Sequence, residues 1–164
     1  MKRITLLLTA AFFCLSMSAQ IQRKFFGITL GESKINEVEK VLKKNDISYE
    51  QEKDNIETSS VEFGGYVWHK VDFQFYENKL YSVVFCYRDY LGLSKSYINK
   101  RFESISKTLK DKYADFINNE EDQGIAFTDD VTTLNLKQGE SFVVLGYVDK
   151  MIVSKKTEKE KNEF

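Results

Sequence analysis

The 164-residue chain contains no proline, one histidine and two cysteines, and each shortage removes a class of structure or chemistry. Without proline, the ends of helices and strands depend on Gly, Asn and Asp. His69 is the only histidine, and no Cys-x-x-Cys, His-x-His or His-Glu-x-x-His spacing occurs, so we expect neither a zinc nor a copper site. Gly-x-Ser-x-Gly and P-loop motifs are absent too, and we expect no cofactor.

The chain also lacks an excess of charge of either sign. It has 24 basic and 25 acidic residues, a net charge of −1, and the lysines are interleaved with acids. Removal of Lys2 and Arg3 with the N-terminal segment leaves 22 basic residues and a net charge of −3. We therefore expect no nucleic-acid partner and no attraction to anionic lipids.

Residues 1–19 have the three parts of a secretory signal peptide: a basic start, an apolar run over 4–15 and small residues up to Ala19. The apolar run is too short and wrongly flanked for a stable membrane span. We expect cleavage between Ala19 and Gln20, or alternatively after Ser18.

The cysteines exclude a disulfide in the processed chain. Cys14 follows Phe12 and Phe13, whereas a lipobox has small residues there, so Cys14 is expected to leave with the signal peptide. Cys86 then remains alone and has no intramolecular partner. Export without a disulfide predicts the periplasm or the cell surface of a Gram-negative bacterium.

Residues 67–87 have the strongest strand pattern and predict a central β-hairpin. Alternation assigns one face to Val67, His69, Val71, Phe73 and Phe75, and the opposite face to Trp68, Lys70, Asp72, Gln74 and Tyr76. A three-residue turn at 77–79 collects the apolar residues on the first face and separates His69 from Cys86. A two-residue turn at 78–79 would bring His69 and Cys86 together but would spread the apolar residues over both faces. The first register segregates them better, so no Cys–His dyad is expected.

Two helices accompany the predicted strands. The first covers 34–44 with Ser33 as its N-cap. The second carries an apolar stripe at helical spacing, formed by Ile98, Phe102, Ile105, Leu109 and Tyr113. Other strands are expected within 21–30, 48–50, 59–63, 125–128, 131–137 and 142–148.

This order predicts a single α+β domain over 20–153, followed by a charged, disordered tail at 154–164. We expect an antiparallel sheet of six or seven strands with two principal helices on one face. A helix followed by a three-strand meander occurs twice, at 34–88 and at 96–148.

Residues 26–42, with the pattern F-G-I-T-L-G-E-S-x-x-x-E-V-x-x-x-L, resemble the start of uncharacterised small secreted α+β proteins of Gram-negative gut bacteria. The element order is also distantly similar to the helix-plus-meander modules of β-lactamase-inhibitor-like proteins and outer-membrane assembly lipoproteins. The resemblance implies that meander strands offer a surface to another protein. This chain departs from those modules because it lacks their lipidated cysteine or paired cysteines.

The outer face of the hairpin is the candidate binding surface. Trp68, Lys70, Tyr76 and Arg88 would combine aromatic and charged groups, which anchor many protein interfaces. The chain is therefore predicted to be a non-catalytic module that binds a partner protein. The alternative function is a small-molecule or glycan binder, in which sugars stack on Trp68. The candidate surface would not exist if the acidic loop or the tail covered Trp68 and Tyr76. Enzymatic activity ranks third.

Acidic clusters at 120–122 and 129–130 lack the alternation and glycine of an EF-hand loop. We interpret them as solvated loops and expect no metal site.

Overall fold

The computed structural model describes residues 20–89 and 95–162. The predicted signal peptide lies outside these residues. The prediction of an α+β fold with a large antiparallel sheet is confirmed, and the described residues form three α-helices, an eight-stranded sheet and a separate two-stranded sheet.

The elements follow one another in a simple order. The N-terminal part contains β1 (Lys24–Phe25), β2 (Ile28–Thr29), α1 (Ile35–Lys44), β3 (Tyr49–Glu52), β4 (Asn55–Phe63), β5 (Tyr66–Tyr76) and β6 (Lys79–Arg88). The C-terminal part contains α2 (Lys95–Tyr113), a 3₁₀ turn (Ala114–Phe116), β7 (Ile117–Glu121), β8 (Gly124–Thr128), β9 (Thr132–Gln138), β10 (Phe142–Asp149) and α3 (Lys150–Asn162).

The large sheet has the order β3-β4-β5-β6-β10-β9-β8-β7, and every neighbouring pair is antiparallel. A helix followed by a four-strand meander therefore occurs twice, and the predicted three-strand meanders and six or seven strands were wrong. The prediction missed the edge strand β7 and shortened the edge strand β3, and it also began β4 at 59 rather than at Asn55. The two edge-strand sequences, YEQE and INNEE, are polar on both faces because an edge strand packs little, so they carry no apolar alternation.

Aromatic side chains form the centre of the core on the helix side of the sheet. Phe63 stacks on Phe85 with ring centroids 4.4 Å apart, and Phe25 meets Tyr147 edge-on at 4.7 Å. The predicted stripe of α2 is buried as expected, and α1 buries Val38 and Leu42 in the same cluster. Both helices thus contribute to one continuous core.

The tip of the β5–β6 hairpin differs from the predicted three-residue turn. Tyr76 pairs with Lys79, so the turn has two residues, Glu77 and Asn78, with φ of 49° and 62°. Left-handed values at both positions are those of a type I′ turn, whose twist matches that of the flanking strands.

The start of α1 is joined to this turn. Ser33, the predicted N-cap, instead accepts the Thr29 N–H through its hydroxyl, and Lys34 occupies the cap position. The Ile35 N–H, left free at the helix start, donates to the Asn78 side chain. A side chain distant in sequence therefore replaces the expected local cap.

The hairpin has a two-residue turn and also the predicted register, because a β-bulge lies between them. The register shifts between Gln74 and Phe75, and on the side of the bulge away from the turn Val71 pairs with Phe85 and Phe73 with Val83. The odd-with-odd pairing expected for the body of the hairpin is therefore present. One extra residue is absorbed at the bulge rather than in the turn.

The apolar alternation changes phase near the middle of β4 and β5. Trp68 is fully buried and Val67 is 51% exposed, the reverse of the predicted faces. On β4, Ser60 has a φ of 53°, and buried positions fall at Thr58 and Val61 rather than at alternate residues. Both strands change phase at the same level, since Val61 pairs with Trp68. Strict alternation therefore does not predict the faces of side chains on both sides of such an irregularity.

The C-terminal segment also differs from the prediction, because residues through Asn162 are helical rather than disordered. Ile152 anchors the first turn of α3 in the protein. Further along, Lys156 lies over the Tyr81 ring at 5.1 Å and Lys159 over the Tyr76 ring at 6.0 Å. None of the helices within 20–89 and 95–162 is long and apolar enough to cross a membrane.

Candidate functional site on the open sheet face

The face of the sheet opposite the core carries small side chains at its centre. One cross-strand row runs Lys70, Cys86, Val144 and Lys137, and the next runs Asp72, Val84, Gly146 and Asn135. The helices α1 and α2 contribute to the core on the other side. At the tip of the β5–β6 hairpin, α3 lies beside Tyr76 and Tyr81, away from the two rows described above.

A shallow groove crosses this face between β5, β6 and β10. Its volume is about 370 Å³. It is lined by His69, Lys70, Asp72, Val84, Cys86, Arg88, Phe142 and Val144. The valines give it an apolar floor, and the charged residues lie at its border.

The basic residues at the border of the groove differ in whether they form ion pairs. Lys70 Nζ lies 2.5 Å from Glu57 Oε2 and 3.2 Å from Asp72 Oδ1. The hydrogen bond to Glu57 raises the pKa of Lys70, while burial raises the pKa of Asp72 despite the nearby ammonium. Arg88 and Lys137 form no ion pair with another described residue. The open face therefore offers two cations to an acidic partner.

Cys86 and His69 line the same groove, so the prediction that they lie on opposite faces was wrong. The phase change described above places His69 beside the outer row. Its Nδ1 accepts the Arg88 backbone N–H at 3.1 Å, and its ring stacks on Tyr87 at 4.6 Å. Burial raises the pKa of the Cys86 thiol. A nucleophilic cysteine needs a lowered pKa, so the groove lacks this feature of a thiol enzyme.

Of the predicted binding residues, Lys70 and Arg88 border the groove, but Trp68 does not. Trp68 is completely buried, and its Nε1 donates to the Phe63 carbonyl at 3.1 Å. Tyr76 lies at the hairpin tip beside α3 rather than at the groove. Of the two aromatic residues, Tyr76 lies beside the C-terminal helix α3, as the alternative of a covering tail expected. Trp68 is instead buried in the core.

Trp68 belongs to a cluster of aromatic rings around Arg101 of α2. The Arg101 guanidinium lies 3.9 Å from the Tyr87 ring centroid, 5.3 Å from that of Tyr66 and 5.4 Å from that of Trp68. Burial lowers the pKa of Arg101. We interpret this cluster as a set of structural cation–π contacts that stabilise the packing of α2 against the start of β5.

Sequence reasoning missed the apolar floor formed by Val84, Val144 and Phe142. Val84 and Val144 come from strands about 60 positions apart that become neighbours only through β6–β10 pairing. Residues 142–148 were predicted only as a strand, and strand alternation, which sets Val144 on the face opposite Val143 and Leu145, was the signal available in the sequence.

The acidic clusters have protein partners. Asp129 Oδ1 accepts the N–H groups of Val131 and Thr132, and its Oδ2 accepts that of Ile21 at 2.9 Å. Glu120 pairs with Lys110. No group of three or more His, Cys, Asp or Glu within the described residues is arranged to hold a metal ion.

The fold and the open face define an α+β protein with an eight-stranded antiparallel sheet and an uncovered groove. Comparison with known proteins finds no matching family model, no similar curated protein and no similar solved structure. The resemblance to helix-plus-meander modules therefore remains a prediction.

Proposed function

We propose that this chain is an exported, non-catalytic module that binds a partner protein on the open face of its sheet. The observation that carries the proposal is the groove of about 370 Å³, whose apolar floor is bordered by charged side chains. Interfaces between proteins have this arrangement of an apolar centre and a polar border.

The charges favour a partner surface with carboxylates around an apolar patch. Arg88 and Lys137 would face these carboxylates, while Val84 and Val144 would contact the apolar groups. Lys70 is already held by Glu57 and Asp72, and its role is to fix the border of the groove. Meander strands that present a surface to another protein agree with the resemblance drawn from residues 26–42.

Glycan binding is the weaker alternative. Sugar recognition on this face was expected from stacking on Trp68, and Trp68 is completely buried. The groove floor is built mainly from the aliphatic Val84 and Val144, and its one exposed phenyl ring is that of Phe142.

The test uses a photo-crosslinking amino acid at Val144 in cells that export the chain. We expect one discrete protein adduct at this position and none from the same probe at Lys155, an exposed residue of α3. Identification of the crosslinked partner should reveal an acidic, partly apolar contact surface.

Charge reversal tests whether the adduct depends on the proposed contacts. Arg88→Glu with Lys137→Glu should reduce the adduct by roughly tenfold, because rim charges control association. Lys40→Glu with Lys155→Glu changes the net charge equally at exposed helix positions and should leave the adduct unchanged. Equal adducts in both double variants, or adducts of the same size from Val144 and Lys155, would overturn the proposal.

A further inference from the structure

A second pocket lies on the other side of the sheet, between α2 and the β4–β5 turn. Its volume is about 110 Å³. Its interior is lined by Phe63, Trp68, Ile105, Leu109, Tyr113, Leu145 and Tyr147, and its mouth by Gln22, Gly64, Tyr66, Thr108 and Lys112. Nearly all of its interior surface is therefore aromatic or aliphatic.

One polar group of a residue that lines this pocket, the Tyr147 hydroxyl, has no partner within the protein. Tyr147 is 3% exposed, and its hydroxyl makes no hydrogen bond to any residue in the described ranges. The hydroxyl oxygen is not fully enclosed, since the fully buried side-chain atoms without a partner in these ranges are Asn55 Oδ1, Arg101 Nε and Gln138 Oε1. Tyr113, by contrast, accepts the Gln22 N–H through its hydroxyl at 3.1 Å. Burial raises the pKa of Tyr147, and the nearby Tyr113 raises it further, so Tyr147 stays protonated and able to donate. A hydroxyl at a nearly buried position that has no partner within the protein is available to a polar group of a ligand.

We propose that this pocket binds a small aromatic molecule with one polar substituent, such as a phenol, whose oxygen bonds to the Tyr147 hydroxyl. The volume sets the size of the ligand. An engineered apolar cavity of about 150 Å³ accommodates benzene, so a pocket of 110 Å³ that is open at one end suits a single ring. A helix or an extended peptide would not fit.

The lining agrees with this class of ligand. Aromatic side chains of Trp68 and Phe63 in the interior and of Tyr66 at the mouth favour stacked or edge-on contacts with a ring. Lys112 at the mouth lies 3.4 Å from the Gln22 side-chain oxygen and 5.0 Å from the Tyr113 ring centroid, which leaves it beside the opening. Ligand pockets in proteins commonly combine an apolar interior with a few polar groups of this kind.

The test titrates the processed chain, residues 20–164, with phenol and separately with toluene by calorimetry. Trp68 lines the pocket, so its fluorescence reports whether either compound occupies this site. We expect saturable phenol binding with a change in Trp68 emission. Tyr147→Phe should weaken phenol binding at least tenfold and leave toluene binding unchanged.

Two further variants fix the location of binding. Thr108→Trp places a large side chain at the mouth from an exposed helix position and should abolish binding of both compounds, whereas Thr108→Ala should not. Without ligand, Tyr147→Phe should unfold at nearly the same temperature as the natural chain, because the hydroxyl that it removes makes no hydrogen bond within the protein.

The proposal is overturned if neither compound binds saturably, if Thr108→Trp leaves binding intact, or if Tyr147→Phe binds phenol as well as the natural chain does. This experiment contains no partner protein and leaves the open sheet face unchanged. Its outcome is therefore independent of the proposed protein-binding function.

Discussion

Substitution of Asp149 should destabilise the protein strongly, because this side chain joins three parts of the fold. Asp149 ends β10, is 4% exposed and has its Oδ2 2.6 Å from Arg23 Nη2. Its Oδ1 accepts the Ile152 N–H at 2.8 Å, which makes it the N-cap of α3. Arg23 also donates to the Leu30 carbonyl and to the Thr132 hydroxyl, so the pair links the N-terminal segment to β9 and β10.

Two substitutions separate the contributions of the charge and the cap. Asp149→Asn keeps an oxygen that can accept the Ile152 N–H but leaves Arg23 without its counter-charge. Loss of one partner of a buried ion pair costs about 3–5 kcal/mol, and the lower value applies because Arg23 is 22% exposed. Asp149→Ala also removes the cap, which adds about 1 kcal/mol. We expect losses of about 3 kcal/mol for Asn and about 4 kcal/mol for Ala.

Urea unfolding of residues 20–164, followed by Trp68 emission, measures these losses. The emission of the folded state should be blue-shifted and resistant to acrylamide, because Trp68 is completely buried. Lys70→Ala is the matched control, since it breaks exposed ion pairs that contribute less than about 1 kcal/mol. Asp149 variants as stable as this control would refute the reasoning, and equal losses for Asn and Ala would show that the cap contributes nothing.

Two more predictions concern Cys86 and the hairpin turn. Burial raises the pKa of the Cys86 thiol, so at neutral pH the folded chain should hold less thiolate and react several-fold more slowly with an aromatic disulfide reagent than the urea-unfolded chain. Equal rates at each pH from neutral to alkaline would contradict this burial. Glu77 has a φ of 49°, in the left-handed region, which costs most residues roughly 1–2 kcal/mol. Asn adopts this region more readily than Glu does, so Glu77→Asn should stabilise the fold by about 0.5–1 kcal/mol. Urea unfolding checks this value, and a destabilised Asn variant would show that Glu77 has another role.

The sequence alone predicted the helices and strands correctly wherever the spacing of apolar residues within one segment determined the structure. The 3.6-residue spacing of Ile98, Phe102, Ile105 and Leu109 predicted both the helix α2 and its buried face. Alternation in 71–75 and 83–87 predicted the body of the central hairpin and its register. These periods follow from the geometry of a single helix or strand, so they are visible before the chain folds.

Tertiary structure decided the faces and the edges. Trp68 was assigned to the outer surface because alternation was extended along β5 through positions 69 and 70, at the level of Ser60 of β4, where both strands change phase. The edge strands β3 and β7 have no apolar face, so no period marked them. The helix α3 was also missed, because its charged sequence buries only Ile152 and its first turn is capped by Asp149.

The candidate site shows the same division. Lys70 and Arg88 could be placed on the outer face from the alternation of their own strands. The groove floor required Val84 and Val144 to meet through β6–β10 pairing, and the pocket around Tyr147 required α2 to pack against the β4–β5 turn. Local periodicity determines which way a side chain points from its own strand or helix. Its neighbours depend on contacts between distant segments, which are selected by packing of the whole core.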